Sequence, residues 1–349
     1  MATTKYKVLE FFAGAGGLAL GLEQAGFKTV GLIEIDKNCI NTLFKNRPDW
    51  NLIHSDIIDL VGNNLDIYIK KFKNIDLISG GFPCQPFSYA GKKKGFNDTR
   101  GTIFYYFVEV IRKIRPKMFL IENVKGLLTH NDKKTFQTII ETLQKLDYHL
   151  SWQVLNALDY GIAQKRERLF IVGIDSCYSS QPFIFPPKYS KKLTLKDVLK
   201  NVPKSLGASY SDKKKKIFSL VPPGGCWKNL PTDIAKEYMG KSYFLGGGKT
   251  GIARRLSWNE PSLTLTCSPS QNQTERCHPD EIRPFTIREY ARIQGFPDTW
   301  EFSGSIHSIY KQIGNAVPVN LAKSVGLKII DHLNLINKRV WDTNNKDLI

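Results

Sequence analysis

The chain has 349 residues, 42% hydrophobic and 23% charged, which are the proportions of an ordinary soluble globular protein. Its 50 Lys and Arg residues against 32 Asp and Glu residues give a formal net charge of +18, which indicates a polyanionic partner such as nucleic acid. No apolar stretch is long enough to span a bilayer, no secretory leader precedes the first strand, and the six cysteines are scattered without the spacing of a zinc site or a disulfide framework. We therefore expect a cytoplasmic protein with reduced thiols, no metal site and no membrane partner.

The first 175 residues alternate short apolar runs with helical patterns, as βαβ units do. This alternation predicts an α/β fold with a mixed, mostly parallel sheet. The clearest helix is Phe104–Ile114, whose apolar residues recur at helical spacing until Pro116 stops it. The predicted strands are Val8–Phe12, Val30–Glu34, Ile75–Ser79, Met118–Ile121, Trp152–Leu155 and Leu169–Ile174.

The pattern changes after Asp175, where prolines and loose glycine clusters become frequent and helical periodicity is weak. We predict a separate small domain of strands and loops at 176–283, in which the run Lys213–Lys216 is a solvated face. Regular patterning then returns with a capping box at Thr286 and Glu289 and with a final helix after Pro318. Residues 1–175 and 284–349 are accordingly expected to form one discontinuous domain.

Two motifs follow apolar runs that end at the same predicted sheet edge. Pro83-Cys84-Gln85 follows the run around Leu77, and Glu122-Asn123-Val124 follows the run that begins at Met118. Open α/β sheets bind ligands at the carboxyl ends of their strands. A thiol beside an acid at this edge indicates covalent chemistry on a ring that is protonated as it is attacked, although a free cysteine is often only a buried small apolar residue.

A glycine-rich turn, Phe12–Gly17, lies between a predicted strand and a helix, and Glu34 closes the second strand. Glycines let the backbone approach a ligand, and a carboxylate at this offset accepts hydrogen bonds from a ribose. This pattern fits NAD and S-adenosylmethionine equally. Asp56 either reads an adenine amino group or caps a helix.

The succession of motifs along the chain resembles the DNA (cytosine-5)-methyltransferases, particularly the bacterial enzymes of restriction-modification systems. It covers nearly the whole chain outside 176–282. The motifs, in order, are Phe12–Gly17, Glu34-Ile35-Asp36, Asp56-Ile57, Pro83-Cys84-Gln85, Glu122-Asn123-Val124, Gln164–Arg168, Arg283–Pro297 and Gly314-Asn315-Ala316-Val317.

The resemblance implies a Rossmann-like S-adenosylmethionine-dependent methyltransferase domain and a smaller, irregular target-recognition domain at 176–283. Cys84 would add to C6 of a flipped-out cytosine, Glu122 would protonate or hydrogen-bond N3, and Arg166 and Arg168 would contact O2 or a phosphate. A glutamate acting as an acid near neutrality needs a raised pKa, which burial can provide.

The resemblance also assigns residues to the cofactor and to duplex DNA. Arg276 is a candidate for a bidentate guanine contact. The cofactor residues would be Phe12, Ala13, Gly14, Gly16, Gly17, Glu34, Ile35, Asp56, Ile57, Pro83, Ile103 and Asn315, and the other DNA contacts Gln85, Ser88, Lys92 and Arg100.

The implied function is methylation of a specific short DNA sequence by a monomer, which protects host DNA from a partner endonuclease without forming a stable complex with it. The nearest alternative is a tRNA cytosine-5 methyltransferase, although the Cys-Phe-Thr stretch of those relatives is absent here. A catalytically inactive DNA-binding regulator would not need Cys84, Glu122 and Arg168 together. An exocyclic amino methyltransferase would carry an [Asp/Asn]-Pro-Pro-[Tyr/Phe] motif, and an NAD oxidoreductase would leave Pro-Cys-Gln unexplained.

Overall fold

The computed structural model of the chain describes residues 6–72, 74–83, 103–179, 181–245 and 250–344. The chain divides into two compact units. The first comprises the chain up to Asn156, Glu167–Lys188 and the chain from Val319 onward, and the second comprises Ala157–Arg166 and Tyr189–Pro318. Residues 284–318 thus lie in the second unit, whereas the sequence placed them with the catalytic part. The functional boundary of a target-recognition domain stays a prediction.

A seven-stranded sheet lies at the centre of the first unit. Its strands are β1 (Lys7–Phe11), β2 (Lys28–Glu34), β3 (Leu52–His54), β4 (Leu77–Gly80), β5 (Met118–Val124), β6 (Tyr148–Asn156) and β8 (Glu167–Asp175). The order is β3-β2-β1-β4-β5-β8-β6, with β1 to β5 parallel and β8 antiparallel to both of its neighbours. The predicted mixed, mostly parallel α/β sheet is therefore confirmed.

Helices pack against this sheet, and the predicted helix at 104–114 is among them. It buries Phe104, Phe107 and Ile111 in the sheet core. Helices α1 and α12 pack so closely that a Cβ added to Gly21 would lie 2.4 Å from the Cβ of Ala322. The helices of this unit, numbered in chain order, are α1 (Gly17–Ala25), α2 (Lys37–Asn46), α3 (Ile57–Asp59), α4 (Leu65–Lys71), α5 (Ile103–Ile114), α6 (Lys134–Gln144) and α12 (Val319–Asn344).

The second unit combines short helices with a two-stranded parallel sheet of β7 (Gln164–Lys165) and β9 (Ser262–Leu263). The prediction of strands and loops for 176–283 is wrong in its described part, which holds three short α-helices, three 3-10 turns and, as its strand, the two-residue β9. Helices of four to eight residues are too short to display a helical period in the sequence. The helices of this unit are α7 (Leu195–Val198), α8 (Asp212–Ser219), α9 (Thr232–Met239), α10 (Ile287–Ile293) and α11 (Ile306–Asn315).

The helix ends predicted from the sequence are confirmed at two places. Thr286 caps α10, and its own N–H donates to the Glu289 carboxylate at 2.7 Å, which completes the capping box. The final helix, α12, begins directly after Pro318. Within the ranges that the structure describes, no helix is both long enough and apolar enough to cross a membrane.

Candidate active site

Glu122 and Arg168 form an ion pair at the carboxyl edge of the sheet. Glu122 lies near the end of β5 and Arg168 near the start of β8, and the two strands are antiparallel neighbours. The Arg168 Nε atom lies 2.9 Å from Glu122 Oε1, with the side chains 13% and 10% exposed. A Cβ added to Gly81 would lie 2.9 Å from Glu122 Oε2. The carboxylate therefore lies beside the backbone that leads, three residues later, to Cys84.

The backbone between β4 and this cysteine is fixed by a buried ring and an amide. Asn123 donates from Nδ2 to the Phe82 carbonyl at 3.0 Å, and its Oδ1 accepts the N–H of Val124 at 2.9 Å. The Phe82 ring is buried with its centroid 5.3 Å from that of Phe104. Pro83 is exposed. Five predicted site residues lie outside the described residues, namely Cys84, Gln85, Ser88, Lys92 and Arg100.

The glycine-rich turn after β1 holds three residues in the left-handed region. Their φ angles are 58° at Phe12, 54° at Gly14 and 86° at Gly16. A non-glycine residue rarely adopts this conformation, and such strain concentrates at functional sites. No atom lies within 4 Å of a Cβ added to Gly14, so the backbone there is open to a ligand. Ala13 donates to the Ile33 carbonyl at 3.2 Å, and Gly17 begins α1.

Glu34 joins this turn to the end of β2. Its Oε2 atom accepts the N–H of Gly14 at 2.7 Å, and its Oε1 accepts those of Ile35 at 2.9 Å and Asp36 at 2.8 Å. A carboxylate oxygen has two lone pairs. Oε1 is therefore filled by these backbone donors, while Oε2 keeps one lone-pair direction for a ligand hydroxyl.

The remaining predicted cofactor residues of this unit differ in exposure. Ile35 is 60% exposed, which gives the edge an apolar surface, whereas Ile57 is buried. Asp56 caps α3, because its Oδ1 accepts the Ile58 N–H at 2.9 Å. The sequence left open whether Asp56 contacts an adenine or caps a helix, and this contact is the helix cap. Ile103 is half-buried against the sheet core.

Glu10 is a buried acid that the sequence analysis missed. It lies in β1 with 1% of its surface exposed, and Ser79 Oγ donates to its Oε2 at 3.3 Å. The backbone of Ala19 in the first turn of α1 is close enough to lower the pKa of this carboxyl somewhat, against the larger effect of burial. Burial raises the pKa of Glu10 to about 8. The sequence feature that could have revealed this buried acid is a glutamate inside an otherwise apolar strand.

Arg166 is not exposed for the substrate contact predicted for it. It is 1% exposed, and its guanidinium donates to the carbonyls of Leu265 at 2.9 Å, Gly314 at 2.7 Å and Ala316 at 3.2 Å. Gln294 donates from Nε2 to the same Ala316 carbonyl at 3.2 Å. Arg166 therefore holds the backbone at the end of α11 within the second unit, and its predicted contact with O2 or a phosphate stays a prediction.

Arg276, for which a guanine contact was predicted, is likewise buried. It is 5% exposed and donates from Nη1 to the Glu275 carbonyl at 2.7 Å. Burial lowers the pKa of its guanidinium to about 10. The predicted guanine contact would need this side chain to leave its buried position, and it stays a prediction. Asn315, by contrast, is exposed at the end of α11.

Comparison with known proteins assigns the chain to a class. The profile of the C-5 cytosine-specific DNA methylases matches residues 6–331. Type II methyltransferase M.Sau96I of Staphylococcus aureus is 57% identical, over 95% of this chain and 77% of that protein. M.Eco47II of Escherichia coli is 54% identical, over 96% of this chain and 81% of its own length.

A solved structure agrees with these relatives. A prophage-encoded E. coli protein, described as a DNA modification methyltransferase, has a TM-score of 0.70 and 26% identity, over 95% of this chain and all of that one. The chain belongs to the family of C-5 cytosine-specific DNA methylases and is a DNA (cytosine-5)-methyltransferase. The resemblance drawn from its motifs is confirmed, as is the Rossmann-like methyltransferase fold.

Proposed function

We propose that this chain transfers a methyl group from S-adenosylmethionine to C5 of a cytosine flipped out of duplex DNA, through a covalent bond between Cys84 and C6. The observation that carries the proposal is the Glu122–Arg168 ion pair beside Gly81, three residues before that cysteine. Membership of the cytosine-5 family supports both the position methylated and DNA as the substrate.

Cys84, Glu122 and Arg168 have separate roles in the proposed reaction. The Cys84 thiolate adds to C6, and the electron pair displaced from the C5–C6 bond is drawn toward N3, where Glu122 holds the proton. Arg168 orients Glu122 through its Nε contact. After methylation, loss of the C5 proton to a base restores the double bond and breaks the bond between C6 and sulfur. Base flipping exposes the ring face to the thiol.

S-adenosylmethionine would supply the electrophilic methyl group. The first unit fits such a cofactor because Gly14 has open space beside its Cα and Glu34 Oε2 keeps one acceptor direction. Asn315 is assigned to the same cofactor by the family resemblance. The remaining assigned residues are Phe12, Ala13, Gly16, Gly17, Ile35, Asp56, Ile57, Pro83 and Ile103.

The relatives named as Type II methyltransferases support a role in restriction-modification. In this role the chain acts as a monomer and protects host DNA from an endonuclease with the same target, without a stable complex between them. Residues 176–283 read the target sequence, and residues 1–175 with 284–349 carry the catalysis. Gln85, Ser88, Lys92 and Arg100 contact the DNA around the flipped base.

Trapping with 5-fluorocytosine tests the covalent step. Duplex DNA that carries this base at the target should form a stable adduct, because fluorine cannot leave C5 as a cation. Cys84→Ala should bind DNA and cofactor but form no adduct. A wild-type enzyme that methylates DNA without forming the adduct would rule out the mechanism, and methylation of tRNA in preference to DNA would favour the RNA alternative.

Glu122→Gln tests the proton at N3. The amide keeps the shape of the carboxylate but cannot transfer a proton, so turnover should fall by about 100-fold or more, the usual scale of acid–base catalysis. Cofactor affinity should be unchanged, because Glu122 lies at the end of β5 and the glycine-rich turn follows β1. Steady-state kinetics over a wide cofactor range separates the two effects. Turnover restored by saturating cofactor would contradict the assignment.

A further inference from the structure

The thiol of Cys267 is hydrogen-bonded to the exposed amide of Asn315. Cys267 Sγ donates to Asn315 Oδ1 at 2.9 Å. With its oxygen held by the thiol, the amide presents its NH₂ group outward, and that group has no hydrogen-bond partner among the described residues. An exposed NH₂ group held in one orientation is suited to an acceptor atom of a ligand.

The segment that precedes Cys267 is held by hydrogen bonds and by close packing against the end of α11. The N–H of Leu265 donates to Gln164 Oε1 at 2.9 Å, and the Thr266 carbonyl accepts the Tyr290 hydroxyl at 3.0 Å. The Gly314 backbone packs directly on this segment, because a Cβ added there would lie 2.5 Å from the Thr266 oxygen and 2.8 Å from the Cys267 nitrogen.

We infer that Cys267 is a positioning residue for cofactor binding, which acts by holding the Asn315 amide, and that bound cofactor shields its thiol. The inference rests on the proposed function, which assigns Asn315 to S-adenosylmethionine. Cys267 is only partly buried and is not in a disulfide, so a small alkylating reagent reaches it. An alkyl group on Sγ cannot share a 2.9 Å contact with Asn315 Oδ1, so modification displaces the amide.

Thiol labelling tests the shielding without any need for turnover. The Cys84→Ala variant is treated with iodoacetamide, with and without S-adenosylhomocysteine, and each cysteine is followed by peptide mass spectrometry. Labelling of Cys267 should slow at least about fivefold with the ligand, while the exposed Cys177 serves as internal control and reacts unchanged. Equal rates for Cys267 with and without ligand, once calorimetry has shown that the ligand binds, would overturn the inference.

Two substitutions test the hydrogen bond. Cys267→Ser keeps a donor and should leave the KM for S-adenosylmethionine within about twofold, whereas Cys267→Val removes the donor and should raise it about three- to fivefold at unchanged kcat. Thermal unfolding of both variants checks the fold. An unchanged KM in folded Cys267→Val would refute the positioning role. A wild-type chain that binds no S-adenosylhomocysteine would instead overturn the proposed function on which the inference rests.

Discussion

Glu34 is surrounded by hydrogen-bond donors alone, since Gly14, Ile35 and Asp36 all present N–H groups to its carboxylate. An amide in place of the carboxylate would point its NH₂ group at one of these donors. Glu34→Gln should therefore weaken S-adenosylmethionine binding about as much as Glu34→Ala, by about tenfold or more in each variant, the loss expected for one charge-assisted hydrogen bond. Isothermal titration calorimetry measures both.

Asp36→Asn is the matched control for the Glu34 variants, because the Asp36 side chain caps α2 and an amide oxygen can accept the same Asn38 N–H. Its cofactor affinity should stay within about twofold of the wild type. If Glu34→Gln retained full affinity, cofactor binding would use neither the negative charge of the carboxylate nor the remaining lone pair of Oε2.

Lys214 belongs to a run that the sequence presented as a solvated face, but its ammonium lies 2.8 Å from Glu275, whose side chain has no exposed surface. Without Lys214 the buried carboxylate of Glu275 would keep its hydrogen bonds from the Tyr238 hydroxyl and the Ala253 N–H but would lose its cation. Loss of one partner of a buried ion pair costs about 3–5 kcal/mol. Lys214→Met should destabilise the protein by roughly this amount in chemical denaturation. The exposed neighbour Lys215, paired with Asp212, is the control, and Lys215→Met should change stability by less than about 1 kcal/mol. Equal losses in the two variants would contradict the buried pair.

The motifs singled out Glu122 and Arg168 but predicted neither the ion pair between them nor the interior positions of Arg166 and Arg276. An arginine in a motif looks the same whether its guanidinium meets a substrate or the carbonyls of its own chain. Burial depends on segments about 100 to 150 residues away, such as Leu265 and Gly314, that bind Arg166. Such long-range packing leaves no local pattern in the sequence.

At the scale of secondary structure, β1 carries a buried acid into the centre of the sheet. The pKa of Glu10 is raised to about 8 because burial disfavours its charged form. The ordinary value is 4.5, so the unfolded carboxyl loses its proton at lower pH than the folded one. The stability contributed by Glu10 is therefore complete below pH 4.5 and is lost as the pH rises through about 8.

Glu10→Gln should remove this pH dependence, because the amide does not titrate. Between pH 5 and 8, wild-type stability should fall relative to the variant by up to about 1.4 kcal/mol per pH unit. Urea unfolding at several pH values gives the free energy of unfolding of both proteins. The contributions of the other titrating groups are the same in both and cancel in the difference. A constant difference across this range would mean that the folded carboxyl titrates at its ordinary value.

Six of the seven strands in the large sheet were predicted, because parallel strands with both faces covered are continuous apolar runs, as in β4 and β5. The three-residue β3 was not predicted, since it is too short to form such a run. The antiparallel direction of β8 was not predictable, because an apolar run has the same pattern in a parallel and in an antiparallel strand. In the second unit the helices of four to eight residues gave no period, and the fold there depends on packing around Tyr210, Phe218 and Val221.

At the scale of the whole molecule, the net charge of +18 predicts a steep salt dependence of DNA binding. A protein that contacts 6–10 phosphates loses roughly 10³–10⁵ in affinity between 50 and 200 mM salt. Fluorescence anisotropy with a labelled duplex measures this slope. Binding of S-adenosylhomocysteine is the control, and it should change by less than about twofold. A DNA slope corresponding to fewer than about two phosphates would show that the charge excess lies away from the DNA.

Exchange of residues 176–283 for the equivalent stretch of a relative with another target tests where sequence is read. The methylated sequence should change to that of the donor, as mapped by bisulfite sequencing of methylated plasmid. A second chimera that exchanges 176–318 tests the boundary, because residues 284–318 lie in the same compact unit as 189–283. An unchanged target in both chimeras would place recognition outside this region.

The close packing of α1 on α12 also sets the order of events during synthesis. Gly21 leaves the ribosome about 300 residues before Ala322, the residue against which it packs. At roughly 5–20 residues per second, α1 waits about 15–60 s with that face uncovered. The unit that holds the glycine-rich turn is therefore completed only after α12 has emerged. A chain cut before Val319 would keep the strands and α1 but would lack the helix that covers Gly21.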